Sequence, residues 1–460
     1  MMSFAELGLS WIDIAIISAV GIGVFLITFL IYPPLIKLLK AKKWVGYDIH
    51  KKYRPETAES GGIGLTIGII AGIIAILFLY PGLFNEAIVF LITVILAAIV
   101  GLIDDQVQLS SIKKIILMIL TGAPIFFLNL LGYITVDSPT LPIIGHLRLT
   151  IIYPLILPLI IAVTTNTTNM LEGYNGEGSG TCSIAVGFMI ICALIAQSAE
   201  GLIFGIPILA AILAFFMFNK YPAKVFPGDI GTLVIGASIG LLGILGSIEV
   251  SMFLVLLAHV FNSFYVLASL RGFRESHDIK KKDIWQDEND LIHASDEDGA
   301  AMSLPRLLVA KGSMSEPELV KHFLILSFIS GLYAIFGEVV RQWTINNEHI
   351  GLIPSVLILG TCIILYLVAI RKYPKVIGLT YIMMLLLLTG AGALYIINGF
   401  VVDTILNWLY SFILAGIVLG GWYYISVRYF WTMIDKMKKQ PGYISTVEHE
   451  KLVKQKKETQ

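Results

Sequence analysis

Long apolar runs, interrupted by short polar stretches, dominate the chain. They fall near 12–36, 60–80, 87–103, 115–134, 151–168, 182–199, 202–219, 230–248, 250–270, 322–340, 351–370, 376–398 and 405–427. Each approaches the roughly 20 apolar residues that a helix needs to cross a bilayer. The runs are solidly apolar instead of alternating, so lipid-facing strands are not expected. The pattern predicts an all-α polytopic membrane protein with about 13 transmembrane helices. The first run is too long for a cleaved signal peptide and has no basic flank before it, so it reads as a retained helix.

Composition narrows the picture. Of 460 residues, 57% are hydrophobic and 14% charged, whereas a soluble domain carries about 25% charged residues. A soluble enzyme, a disordered chain and a fibrous repeat are excluded. Lys plus Arg and Asp plus Glu both number 32, which leaves no surplus positive charge for nucleic acid. The three cysteines, Cys182, Cys192 and Cys362, lie in or beside apolar segments, so no disulfide framework is expected.

Placing the N-terminus outside puts every Lys and Arg except Arg148 and Arg341 on the cytosolic side. The C-terminus is then cytosolic, and so are the long polar connections. The chain divides into a transmembrane core (1–270), a cytosolic loop subdomain (271–318), additional C-terminal transmembrane helices (319–431) and a flexible basic tail (432–460). The Lys280-Lys281-Lys282 run reads as a solvated or headgroup-facing patch.

Four connections on the cytosolic side carry polar residues that membrane packing alone does not require. Asp104 and Asp105 end the third run, with Lys113 and Lys114 a short turn away. Adjacent acids repel, so they need a cation or a shared proton, unless they are only a charged helix end. Asn166 to Gly180 is dense in Asn and Gly. Asn carbonyls are hard oxygen donors suited to Mg²⁺, and Gly lets backbone approach phosphate, although such a loop is also an ordinary turn. Asp229 opens the next apolar run, either as an N-cap or as a metal ligand beside a phosphate-attracting helix N-terminus. Phe226, just before it, could stack on a base or sit in an interfacial aromatic belt. In the fourth connection Glu59 stands where the second helix enters the membrane. The following Gly62/Gly64/Gly68/Gly72 pattern reads as close helix packing. No histidine pair has the spacing of a zinc site.

Together these groups are equipment for a Mg²⁺-bound diphosphate with an attached base, where catalysis needs positioning and electrostatics and no nucleophile triad. The segments RPETAESGG (54–62), DDQVQLSSIKK (104–114), NMLEGYNG (169–176) and PAKVFPGD (222–229) resemble the polyprenyl-phosphate N-acetylhexosamine-1-phosphate transferases. The chain is most similar to their dolichyl-phosphate GlcNAc-1-phosphotransferase branch, archaeal members included. The resemblance covers about residues 12–310.

The resemblance implies an enzyme that moves a sugar-1-phosphate from a UDP-sugar, UDP-GlcNAc first, to dolichyl or polyprenyl phosphate, releasing UMP and starting lipid-linked glycan synthesis. It implies that Asn169 and Asp229 hold Mg²⁺, with Mn²⁺ as the other candidate ion. Asp104 and Asp105 would organise the centre, one of them helping to deprotonate the lipid phosphate, and Lys114 would bind phosphate. Tyr47, Ile49, Asn175 and Phe226 align with uridine-holding positions, and Glu59 lines the same pocket. The active site would face the cytosol of a plasma membrane or an ER membrane, in contact with membrane lipids, in a chain that could form a homodimer. The family's basic cluster in the long loop is missing ahead of Pro305, leaving Arg306, Arg271, Arg274 or His293 as substitutes. Tyr47 and Gln108 also depart from the closest branch. Competing readings are a cell-wall precursor phosphotransferase using a UDP-muropeptide-like donor, a secondary transporter, and a non-catalytic partner that keeps the fold.

Overall fold

The structure, a computed structural model, describes residues 8–142, 145–146, 152–272, 281–345, 352–373, 376–378, 380 and 405–459. It is mostly helical. Twelve of the thirteen apolar runs coincide with helices. The run at 376–398 lies mostly outside the described residues. Among the described residues nine helices are long and apolar enough to cross a membrane, ten if one bent pair forms a single span. The described residues therefore do not confirm the expected count of thirteen. One reason is the helix Ile152–Met170, whose polar C-terminal stretch, Thr164 to Asn169, dilutes its apolar length.

The chain forms two compact units. The first comprises Met1–Val260 with Phe323–Tyr366. Its helices are α1 (Trp11–Ala41), α2 (Gly62–Leu79), α3 (Phe84–Val107), α4 (Ser111–Thr121), α5 (Ala123–Leu130), α6 (Ile152–Met170), α7 (Glu177–Ala196), α8 (Ala199–Asn219), α9 (Gly228–Leu245) and α10 (Glu249–Val255). α9 is the central helix. In its apolar window 83% of residues are buried, against 22% in α1. It packs on α2, α3, α6 and α8.

Small residues allow that crowding. A Cβ on Gly62 would lie 2.1 Å from the Gly231 nitrogen, and one on Gly101 would lie 2.4 Å from the Ile230 Cα. The first turn of α9 is thus wedged between the backbones of α2 and α3, the close approach that glycine permits in apolar bundles. On its other side, Thr164, Thr165, Thr167 and Thr168 of α6 turn their hydroxyls onto their own helix's carbonyls. Such back-bonding satisfies polar groups inside an apolar bundle. Further along α2, Gly68 faces Thr28 and Gly72 faces Pro207, so the glycine pattern serves packing.

The all-α expectation needs correction in the connections. Strands β1 (Val45–Tyr47) and β2 (Glu56–Ala58) pair antiparallel, as do β3 (Thr140–Leu141) and β4 (Gly145–His146). Two- and three-residue strands leave no usable period in a sequence. The β1–β2 hairpin also recruits the connection before α9. Ala58 bridges Val225 in parallel, Phe226 N–H donates to the Ala58 carbonyl at 2.8 Å, and Gly61 N–H returns to the Phe226 carbonyl at 2.8 Å.

The second unit comprises Phe261–His322 with Leu367–Gln460. It contains a three-stranded sheet of β5 (Ile284–Gln286), β6 (Leu291–Ala294) and β7 (Met314–Ser315). It also holds α12 (Leu304–Val309), most of α11 (Leu257–Leu270), α15 (Ile405–Lys438) and α16 (Thr446–Thr459), where α13 (Glu316–Thr344) and α14 (Leu352–Lys372) are the helices between. The tail expected to be flexible is instead docked here. Thr446 N–H donates to Asp296 at 3.0 Å while Asp296 N–H donates to the Thr446 hydroxyl at 3.1 Å. His449 stacks on Trp285, whose other face carries His293. The units change over after Val260, His322 and Tyr366, so the tail groups with the segment Phe261–His322.

Candidate active site

The N-terminal turn of α9 organises the site. Pro227 occupies the N-cap position and contributes no side-chain cap. Gly228 adopts φ +65°, where a Cβ would meet the Asp105 carboxylate at 2.5 Å. Asp105 reaches across from the last turn of α3 and accepts the Asp229 N–H at 2.6 Å. Its other oxygen accepts the Ser60 hydroxyl at 2.7 Å. Asp105 is thus the acceptor for the α9 N-terminus, and Asp229 is not an N-cap. Its carboxylate is free to turn into the site.

Lys114, on the first turn of α4, lies at the centre and is buried. Its ammonium is 2.6 Å from Asp104 Oδ2 and 2.9 Å from Asp229 Oδ2, and it donates to Asn169 Oδ1 at 3.3 Å. The Asn169 amide donates in turn to Asp229 Oδ1 at 2.5 Å and to the Thr232 hydroxyl at 2.8 Å. The second Asp104 oxygen accepts the Leu109 N–H at 2.6 Å, which pins the turn between α3 and α4. Four helices therefore deliver one cation, two carboxylates and an amide to one point. Glu59 stands beside them, half-buried against Gly46. Burial, and then the negative Asp229, holds its carboxyl above the usual range.

The expected site residues divide into three groups. Asp104, Lys114, Asn169 and Asp229 form a single hydrogen-bonded cluster, with Asp105 bound to its backbone. Tyr47 and Ile49 lie on or just after β1 with exposed side chains, the Tyr47 hydroxyl donating to Glu56 at 3.3 Å. Phe226 is half-buried on the edge of β2. Asn175 is buried, and both ends of its amide meet protein: it donates to Asp48 at 3.1 Å and accepts the Ala223 N–H at 2.7 Å.

Arg306 does not fit its expected role. It belongs to the second unit, and all five of its N–H donors are taken by the carbonyls of Ser295, Glu297, Ala300 and Ala301. Its guanidinium also lies 4.5 Å from the Phe430 ring centroid. It knits that unit together and has no donor left for a phosphate. His293 is likewise engaged by Asp287 at 3.1 Å. Arg271 is exposed, and Arg274 lies outside the described residues.

Ser60 and Thr232 belong to the Lys114 network and Asp48 holds Asn175 outside it; the sequence singled out none of the three. Their only signal was adjacency to the motifs. Among the described residues no group of three His, Cys, Asp or Glu side chains is arranged to hold a metal alone.

Comparison with known proteins bears on this geometry. A model of glycosyl transferase family 4 matches residues 87–247, a span that includes Asp104, Asp105, Lys114, Asn169 and Asp229. A Sulfolobus acidocaldarius protein named as a UDP-N-acetylglucosamine–dolichyl-phosphate N-acetylglucosaminephosphotransferase is 31% identical over 343 residues, or 72% of this chain and 98% of that one. A glycosyltransferase of Methanocaldococcus jannaschii is 30% identical over 295 residues, covering 64% of this chain and 88% of its own. A Bacillus subtilis protein named as an undecaprenyl-phosphate N-acetylglucosaminyl 1-phosphate transferase is 29% identical over 233 residues, 48% of this chain and 61% of its own. The resemblance carried by the four motifs holds: the chain belongs to glycosyl transferase family 4.

Proposed function

We propose that the chain transfers N-acetylglucosamine-1-phosphate from UDP-GlcNAc to dolichyl phosphate or a related polyprenyl phosphate, releases UMP, and so begins a lipid-linked glycan. The observation that carries the reading is the buried Lys114 ammonium between Asp104, Asp229 and Asn169. The names of the archaeal relatives supply the donor and acceptor class.

A phosphate oxygen of the lipid attacks the sugar-linked phosphorus of the donor. The bond from that phosphorus to the UMP oxygen breaks, and UMP leaves with the electron pair. Lys114 sits where it can hold a phosphate oxygen and offset developing charge. Asp104 keeps Lys114 in place and Asp105 keeps the α9 N-terminus in place. Both acids have their oxygens engaged, so their first role is to organise the centre. Glu59, half-buried beside Asp229, is the remaining carboxyl and takes the role of acceptor for a proton from the lipid phosphate.

Mg²⁺ fits the residues present, and Mn²⁺ would be accepted on the same grounds. Asp229 and Asn169 offer hard oxygen donors, and acids outnumber cations in the cluster. A site short of protein ligands suits an ion that keeps waters and takes phosphate oxygens for the rest. Asn169 and Asp229 would hold it. Bound there, it would screen the diphosphate charge.

The test incubates purified protein with labelled UDP-sugars, polyprenyl phosphate and MgCl₂. UMP with a lipid diphosphate sugar is expected from UDP-GlcNAc. Release of UDP would replace this reading with ordinary glycosyl transfer. Substrate flux in liposomes without turnover would replace it with transport, and turnover only with a muropeptide donor would move it to cell-wall chemistry.

A further inference from the structure

Asp48 touches nothing at the Lys114 centre, yet it is almost fully buried, at 3% exposure. A carboxylate is expensive to bury without partners. Its partners come from its own turn and from a second connection, which is tied in turn to a third. Lys51 pairs with Oδ2 from the same turn. The Asn175 amide, from the connection between α6 and α7, donates to the same oxygen at 3.1 Å. Asn175 then accepts the Ala223 N–H at 2.7 Å, from the connection between α8 and α9. Asp48 N–H donates to the Pro55 carbonyl at 3.1 Å and closes the turn between β1 and β2.

Two ring contacts repeat the linkage. The Lys51 ammonium lies 4.5 Å from the Tyr221 ring centroid, and His50 stacks on Tyr174 at 4.6 Å. Residues 48–51 are therefore fastened to both other connections by polar and aromatic contacts. Asn at 175 suits the chemistry, because its amide nitrogen donates to the carboxylate while its amide oxygen accepts a backbone N–H.

We infer that Asp48 is a positioning residue: through Asn175 it sets the connection bearing Tyr47 and Ile49 against the one bearing Phe226, and so shapes the nucleotide side of the site. The assignment of that side rests on the proposed function. The Lys114 cluster is held by α3, α4, α6 and α9 and does not depend on this fastening. Loss of Asp48 should weaken nucleotide binding and spare chemistry.

The test compares the wild type with Asp48→Asn, Asp48→Ala, Asn175→Ala and the double alanine variant. Asp48→Asn keeps an acceptor for Asn175 and loses the charge facing Lys51. Asp48→Ala is expected to raise KM for UDP-GlcNAc about tenfold with kcat within about twofold, the loss of one charge-assisted hydrogen bond. Asp48→Asn should fall between. The double variant should be no worse than the poorer single one, since both remove the same linkage. A fall in kcat with KM unchanged, or additive losses, would overturn the inference.

A second readout needs no turnover. Hydrogen exchange at the Ala223 amide should quicken at least about tenfold in Asp48→Ala, because that N–H is held by the Asn175 it orients. Unchanged exchange at Ala223 sinks the inference even if the enzyme reading stands. Quickened exchange in a protein that binds no uridine nucleotide and releases no UMP keeps the fastening and removes the proposed function.

Discussion

Lys114 and Arg341 are both buried cations in an apolar chain, yet their surroundings differ. Lys114 lies where α6 ends and α9 begins. Arg341 belongs to a polar cluster at the other ends of those helices, about 27 Å away by the rise of an 18-residue helix. There Glu338 Oε1 accepts Arg341 Nε at 2.8 Å, Arg341 Nη2 at 2.6 Å and Gln342 Nε2 at 2.8 Å, and Oε2 accepts the Ser251 hydroxyl at 2.8 Å. Tyr153 donates to Glu249 beside them at 2.5 Å. All six side chains are buried. At Lys114 the acids Glu59, Asp104, Asp105 and Asp229 outnumber the single lysine, and the Asp229 side chain is 30% exposed. A network buried at every member fastens helices. An open one with surplus negative charge is prepared for a further cation and for phosphates.

The largest effect should come at the open cluster. Lys114→Met removes the charge that faces phosphate, and turnover is expected to fall by about 10³-fold or more. Asp229→Ala should abolish turnover. Asp229→Ala should stay folded, with a melting temperature within a few degrees of wild type, while Lys114→Met, which strands the buried Asp104, should lose some stability and still fold. Near-normal rates in either variant would remove these residues from the chemistry.

At the closed cluster the same kind of change should act on stability. Arg341→Met strands the Glu338 carboxylate and should cost about 3–5 kcal/mol. The check is thermal unfolding in detergent, with kcat of the folded fraction unchanged. Adding Glu338→Met should recover most of the loss, because two apolar residues leave no buried charge. If Arg341→Met instead lost activity at full stability, the contrast between the two clusters would collapse.

The sequence revealed the open cluster far better than the closed one, for a physical reason. Asp104, Lys114, Asn169 and Asp229 stand at the ends of apolar runs, where polar groups in such a chain stand out. Their convergence could be expected once all four were assigned to one membrane face. Glu338 and Arg341 lie three residues apart on one helical face, a spacing that signals a pair, but Ser251, which closes the cluster, lies 87 positions from Glu338. Arg306 and Asn175 show the same limit. Residue type announced a polar group, and only the tertiary fold decides whether its donors meet a ligand or a carbonyl. The short strands and the docked tail escaped because polarity reports exposure and not partners.

Between function and stability stands the packing that aims Asp229. Gly101→Ala puts a Cβ 2.4 Å from the Ile230 Cα, an overpacking expected to cost about 1–3 kcal/mol. Because the strain falls one residue from Asp229, turnover should drop as well. A variant that loses stability at unchanged kcat would show that α9 can shift without moving its carboxylate.

Glu172 sharpens the comparison from the opposite side, as an acid outside both clusters and without a cation. It sits just beyond α6, packed on Gly178 at the start of α7. Burial lifts its carboxyl from 4.5 to about 8, with the Gly178 N–H moderating the rise. The folded state therefore holds a proton that the unfolded chain releases between those values. The stability this contributes is complete below about 4.5 and is lost as pH climbs through about 8. Glu172→Gln is neutral throughout, so its melting temperature should exceed that of the wild type by a margin that grows from pH 5 to pH 8 and then levels off. The expected margin is a few degrees. Parallel melting curves across that range would mean that Glu172 is ionised in the fold, and that the protein tolerates a buried acid without the cation that both clusters supply.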